Sequence, residues 1–197
     1  DNTAGGTGGA INARIDGSIP YAVGSVTATA STFSANTAAR DGGAIGAGNV
    51  TATNSTLTDN TAGRTGGAIN TVDDAVLVYA TVVDNTAPAG ANLDVRTALD
   101  SFGSVVARPL GDGANCEIGD SATSTYSYSD DDSCGFGPGV GNDPQVLALR
   151  DFGGPTQTRP PRVTSPLVDA IPVADCHPTV AADQRGRAEH HGDALRQ

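Results

Sequence analysis

In the first half of this chain, the side chains that could do chemistry are carboxylates. No histidine occurs before His177, so that half holds no imidazole base for a serine or cysteine nucleophile. Asp59 and Asp84 each stand directly before an Asn-Thr-Ala tripeptide, at Asn60 and Asn85. If the tripeptides mark successive layers of a stacked structure, the two carboxylates lie one layer apart, about 4.8 Å. Like charges that close need one proton or a cation between them, and a carboxyl pair ~5 Å apart is also the spacing of a retaining glycosidase. The plainer role is a pair of solvated, turn-capping aspartates, and Asp73-Asp74 reads the same way. Asp130, Asp131 and Asp132 form a second cluster. They are hard-oxygen groups of the kind Ca²⁺ takes, although the EF-hand spacing and the Gly-Gly-x-Gly-x-Asp nonapeptide are both absent; a solvated acidic loop is the alternative. Ca²⁺ is thus the one cofactor suggested, and a zinc site is not expected without a Cys-x-x-Cys pair.

Cys116 and Cys134 stand 18 residues apart and flank the Asp- and Ser-rich stretch 120–133. A disulfide closing that loop contributes roughly 3 kcal/mol and suits an oxidising, extracellular setting. Cys176 is left over: free, paired outside this segment, or deprived of its partner.

The 197 residues carry 22 acids against 11 bases, a net charge of −11. All the bases are Arg, and 20 of the acids are Asp. Such a surface repels phosphate backbones and anionic lipid, which excludes nucleic acid as a partner class. Asp favours turns where Glu favours helix, so this ratio argues for many turns and few helices. No apolar run approaches the roughly 18 residues of a membrane span, and no signal peptide is read.

What must position these groups is a repeat. Asn-Thr-Ala recurs at Asn2, Asn36, Asn60 and Asn85, at spacings of 34, 24 and 25 residues. Gly8-Gly9, Gly42-Gly43 and Gly66-Gly67 follow three of these asparagines by six positions, and each pair continues as Ala-Ile. The fourth copy has decayed to Gly90-Ala91-Asn92-Leu93. Upstream of the asparagines, Val26-Thr27-Ala28-Thr29, Val50-Thr51-Ala52-Thr53 and Ala75-Val76-Leu77-Val78 run on to Phe33, Leu57 and Val82. Alternation of period two marks half-buried strands, and a unit of about 24 residues with glycine corners is one rung of a β-solenoid. Val26, Ala28, Phe33, Val50, Ala52, Leu57, Ala75, Leu77 and Val82 are expected inward. The glycine pairs allow positive φ at a corner, and the aligned asparagines are expected to stack as an amide ladder. About ten extra residues, roughly Ala13 to Ala22, read as an outward loop of the first rung. Thr27, Thr29, Thr51 and Thr53 stack outward in an array two rungs long, the kind of surface an ice-binding solenoid uses or simply ordinary strand residues. Arg40 and Arg64 share a phase, and Asp41 beside Arg40 suggests surface ion pairing.

These residues resemble the repeat of polymorphic outer-membrane proteins, and more generally bacterial secreted right-handed parallel β-helices. The pattern is carried by Phe33…Asn36…Gly42-Gly43-Ala44-Ile45 and Leu57…Asn60…Gly66-Gly67-Ala68-Ile69. The tail, with Asn142-Asp143-Pro144, Gly153-Gly154-Pro155-Thr156 and Asp183-Gln184-Arg185-Gly186, resembles the C-terminal region of such proteins, which often precedes a surface anchor. The expected fold is therefore all-β: a right-handed parallel β-helix of about four or more rungs over 1–107. A loop-rich region, 108–197, holds 9 of the 11 prolines and packs on or continues the solenoid. Because the chain opens at Asp1 within a repeat, either an N-terminal extension or exposed end rungs needing a cap are expected. The function the resemblance implies is a non-catalytic extracellular or cell-surface module, adhesin-like or structural. Its partners would be carbohydrate or a host or cell-surface protein, or it would associate end to end or edge to edge through exposed rungs. The competing classes are a polysaccharide lyase or hydrolase using the stacked aspartates, and a cation- or ice-binding solenoid.

Overall fold

The computed structural model describes residues 1–14, 24–137 and 142–188. From residue 15 on, the expected first-rung loop lies outside them, as does the His190-His191 pair. The chain is a β-solenoid, with one 3-10 turn, Val173–Asp175, among the described residues. The first coil contributes β1 (Thr3–Ala4), β2 (Ile11–Asn12), β3 (Ser25–Thr29) and β4 (Thr32–Ser34). The second contributes β5 (Thr37–Ala38), β6 (Ile45–Ala47), β7 (Asn49–Thr53) and β8 (Thr56–Thr58). The third holds β9 (Thr61–Ala62), β10 (Ile69–Thr71), β11 (Ala75–Val78) and β12 (Thr81–Val83). Two further coils hold β13 (Leu93–Val95), β14 (Ala98–Phe102) and β15 (Val105–Ala107), then β16 (Cys116–Ile118), β17 (Ser121–Thr125) and β18 (Tyr128–Ser129). Every strand pairs in parallel with its equivalent one coil on, giving sheets β2-β6-β10-β13-β16, β3-β7-β11-β14-β17 and β4-β8-β12-β15-β18 beside the shorter β1-β5-β9. The stack makes about four turns, and its pairing runs past residue 107 to Ser129.

Alternation sets the register, because a one-residue slip would turn each inward side chain to solvent. One interior column runs Ile11, Ile45, Ile69, Leu93, Cys116; another runs Phe33, Leu57, Val82, Val106. Val50, Ala52, Ala75 and Leu77 are fully buried beside them, while Val26 and Phe33 of the first coil are part-buried against the same core. Phe136 and the Cys116–Cys134 disulfide join that core at its other end; Cys176 is a free thiol.

The two glycines of each pair answer different constraints. Gly42 and Gly66 take φ of 64°, which L side chains rarely adopt. Gly43 and Gly67 sit so close to the next coil that a Cβ would lie 2.0 Å from the carbonyl oxygen of Gly67 and Ala91 respectively. Close stacking, rather than backbone freedom, demands the second glycine.

The asparagines form a one-way chain. The Asn2 amide donates to Asn36 Oδ1, Asn36 to Asn60 and Asn60 to Asn85, each at 2.9 Å. Each acceptor oxygen also takes the backbone N–H of the donor residue. The Thr86–Leu110 bridge places Pro109 where the next asparagine would stand. There the chain shifts column: Asn85 donates to Asn92 (2.8 Å), and Asn92 to Asn115 (2.7 Å).

Asn60→Ala removes the acceptor of two Asn36 donors and unpartners the Phe33 carbonyl and part of Asn85. Each buried orphan costs about 1–3 kcal/mol, so urea unfolding should show a loss of at least ~3 kcal/mol. Asn2→Ala, at the exposed end, should stay within ~0.5 kcal/mol. Equal losses at both positions would contradict a buried network.

Candidate functional site

Asp59 and Asp84 occupy equivalent corners, because Thr58 pairs with Val83, and both take positive φ, 59° and 60°. The same corner is Ala35 one coil earlier and Arg108 one coil later, also at positive φ. Aspartate tolerates this conformation through local hydrogen bonding, here from the Thr58 hydroxyl to Asp59 at 3.1 Å.

Guanidinium groups flank these carboxylates. Arg159 is 8% exposed. Its Nη1 lies 2.6 Å from Asp84, 3.8 Å from Asp59 and 2.5 Å from Thr58 Oγ1, while Nε donates to the Leu147 carbonyl. Arg108 holds Asp84 from the other side through Nε (2.8 Å) and Nη2. That hydrogen bonding raises the Arg108 pKa above its ordinary value against the opposing effect of burial. Asp84 is therefore clasped by two arginines, one from the next coil and one from the C-terminal segment.

That segment is a strap laid over the β4-β8-β12-β15 face. Val146 packs with Val83, Val105 and Ala107. The Thr156 hydroxyl donates to Ala30, and Gln184 bonds Ser31, Thr32 and Thr56. Asn54 donates to the Ala182 carbonyl (2.6 Å), and His177 N–H to the Tyr79 hydroxyl (2.8 Å). Asp84 is thus the polar anchor of a tertiary clasp, with the half-exposed Asp59 at its edge.

The acidic cluster also has internal partners. Asp130 accepts from Arg108 N–H and from the Asn115 side chain (2.7 Å). Asp131 accepts from Asn115 N–H (2.9 Å), Ser133 N–H and the Ser133 hydroxyl. Both carboxylates therefore close the amide chain at its donor end. Burial pushes the Asp131 carboxyl up, but hydrogen bonds from Ser133 and Asn115 outweigh it, leaving the pKa below the ordinary value. Asp132 is exposed. Among the described residues, no three His, Cys, Asp or Glu side chains converge as a metal-ligand set.

The outward threonine array is two coils long: Thr27 pairs with Thr51 and Thr29 with Thr53, then Val76 and Val78 follow. Further along, Phe102 replaces threonine and meets Tyr79, Tyr126 and His177 edge to face. Asp41 forms its ion pair with Arg64 of the next coil, bidentate at 2.9 and 2.6 Å, rather than with the adjacent Arg40. The reason is geometric: the parallel bridge sets Thr65 across from Asp41, which leaves Arg64 one residue away on the next coil, within side-chain reach.

A groove of about 460 Å³ crosses the outer face of β2-β6-β10-β13-β16. Arg14, Arg64 and Arg96 line it together with Asp41, Asp94 and Glu117. Asn70 lies between them, bonded by Arg14 and itself donating to Asp94. Sequence reasoning missed this groove, and it missed Arg108, Arg159 and Asn115. Period arithmetic reaches Arg108, one coil after Asp84, but Arg159 carries no repeat signal.

The architecture defines a parallel β-solenoid repeat protein. Residues 30–48, spanning β4 to β6, match the family model of the Chlamydia polymorphic membrane protein repeat. No curated protein and no solved structure matches the chain.

Arg159→Gln keeps the side-chain bulk but withdraws the charge from a buried pair, a change that costs about 3–5 kcal/mol where the partner is left unpaired. Arg108 still pairs with Asp84, so a loss nearer ~2–3 kcal/mol is expected. Limited proteolysis should cut first within 142–188; unchanged protection of that segment would contradict the clasp.

Asp131 gives a pH test. Its folded pKa is depressed, so its contribution is present above the unfolded value of about 3.9 and is lost as pH falls through the folded value. Amide exchange at Asn115 and Cys116 should accelerate on acidification below about pH 4, beyond the intrinsic pH dependence of exchange. Asp131→Asn should show that faster exchange at neutral pH, and an unchanged Asp131→Asn profile would refute the cap.

Proposed function

We propose that this chain is a non-catalytic β-helix module of a secreted or surface-displayed bacterial protein, with an adhesin-like binding role. The observation that carries the reading is the family match at residues 30–48, falling on a coil whose Asn36, Gly42 and Gly43 serve stacking. The fate of the carboxylates supports it. Glycoside hydrolysis needs one carboxyl free to donate a proton and another facing the substrate, whereas Asp84 is clasped by Arg108 and Arg159 and Asp130 and Asp131 accept hydrogen bonds from the last coil. The disulfide fits an oxidising location.

The test has two arms. Antibody labelling and protease accessibility on intact producing cells should find the chain outside the cell, and the purified protein should bind cultured host cells saturably. Turnover of acidic polysaccharides, with or without Ca²⁺, or confinement to the cytosol would overturn the reading.

A further inference from the structure

The groove on the β2-β6-β10-β13-β16 face has the chemistry of a recognition site, and we propose that it binds an extended, hydroxyl-rich glycan of low net charge, laid along the solenoid axis. The proposal rests on the surface-module reading and adds the site and the ligand class.

Four observations carry it. The first is charge. The chain as a whole carries −11, yet the groove gathers Arg14, Arg64 and Arg96 beside Asp41, Asp94 and Glu117. Signs balance there, so neither a polyanion nor a polycation is favoured.

The second is shape. Arg, Asp, Glu and Asn all end in planar, two-pronged groups, which match adjacent hydroxyls bidentately. Asn70, Asp94 and Glu117 occupy one outward column of successive coils, a polar floor repeating every ~4.8 Å.

The third is preorganisation. Asp41 fixes Arg64 in a bidentate pair. Asn70 is held between Arg14 and Asp94. A groove whose side chains are already ordered loses little conformational entropy on binding.

The fourth concerns what the groove lacks as a peptide site. Its apolar lining residue, Val95, is 0% exposed, so no apolar anchor pocket of the kind a protein hot spot fills is available there. Of the strands that supply its lining, β10 and β13 are hydrogen-bonded on both sides, so main-chain pairing is closed along most of the groove and open only at its β16 end.

Arg96 and Glu117 are both exposed and stand outside the amide chain and the clasp, which makes them the positions to vary. Calorimetric titration of the purified chain with neutral β-linked hexasaccharides and with a uronate hexasaccharide is the experiment. Binding of a neutral hexasaccharide is expected, weakened roughly tenfold by each of Arg96→Ala and Glu117→Ala with the melting temperature unchanged. Binding of the uronate alone, binding indifferent to both substitutions, or no binding at all would overturn the proposal. Saturable attachment to cells that survives the double substitution would sink the groove while leaving the surface-module reading intact. Loss of cell attachment in the unmodified chain would sink the parent reading instead.

Discussion

The structure depends on one repeated interaction: a buried amide that must find the same amide one coil on. An asparagine side chain offers one acceptor and two donors, and in a narrow interior all of them need partners. Translation by one coil solves this for every rung at once. The Asn36 oxygen accepts from Asn2 while its nitrogen donates to Asn60, and the spare donor of Asn60 reaches the Phe33 carbonyl. The solution exists only while successive coils keep the same register, so the ladder enforces the regularity on which strand pairing, aliphatic columns and glycine contacts all rely. Gly43 is constrained by the same closeness, since any Cβ there would meet the carbonyl above it.

A ladder in which every amide points the same way has unlike ends. One end presents an acceptor and the other presents donors, much as a helix presents unsatisfied N–H groups at its start. An anion belongs at the donor end. Asp130 and Asp131 stand there and take the side-chain and backbone N–H of Asn115. Proline at position 109 interrupts the original column, and the chain of amides continues because Asn92 opens into the same interior. The decayed fourth repeat is therefore a repair of the ladder, with an asparagine placed where earlier coils carry Ala44 and Ala68.

Much of this was legible in the sequence because the constraint is periodic. The Asn-Thr-Ala spacing, the paired glycines and the alternating runs place the strands and the inward residues, and the parallel stack follows from them. Aspartates at one phase are likewise legible as neighbours. What covers them was not, because Arg159 lies 75 residues beyond Asp84 in a segment without repeats. The positive-φ corners at Ala35, Asp59 and Asp84 were equally hidden, since none is glycine. The groove escaped notice for a related reason. It is assembled from residues of several coils whose common feature is facing outward, and outward positions carry no repeat requirement.

This division between inward and outward positions bears on how such a chain can carry function. Interior positions answer to the ladder and the columns, so substitution there disturbs every neighbouring coil. Outward positions on the same strands are free of a repeat requirement: Asn12, Gly46, Asn70, Asp94 and Glu117 follow one another in a single column in which neighbours meet pairwise, as Asn70 does Asp94, and no residue type is imposed on every coil. On the strap face that freedom was used to seat Arg159 against paired carboxylates, and the acids there became structural. On the opposite use of the same freedom, the groove face keeps Arg96 and Glu117 exposed beside polar groups that are already ordered. Where a β-solenoid carries recognition, the physical expectation is an outward face whose charges are balanced and partly left open to solvent, and the groove face, with Arg96 and Glu117 exposed, meets that condition where the Asp84 corner, closed by Arg108 and Arg159, does not.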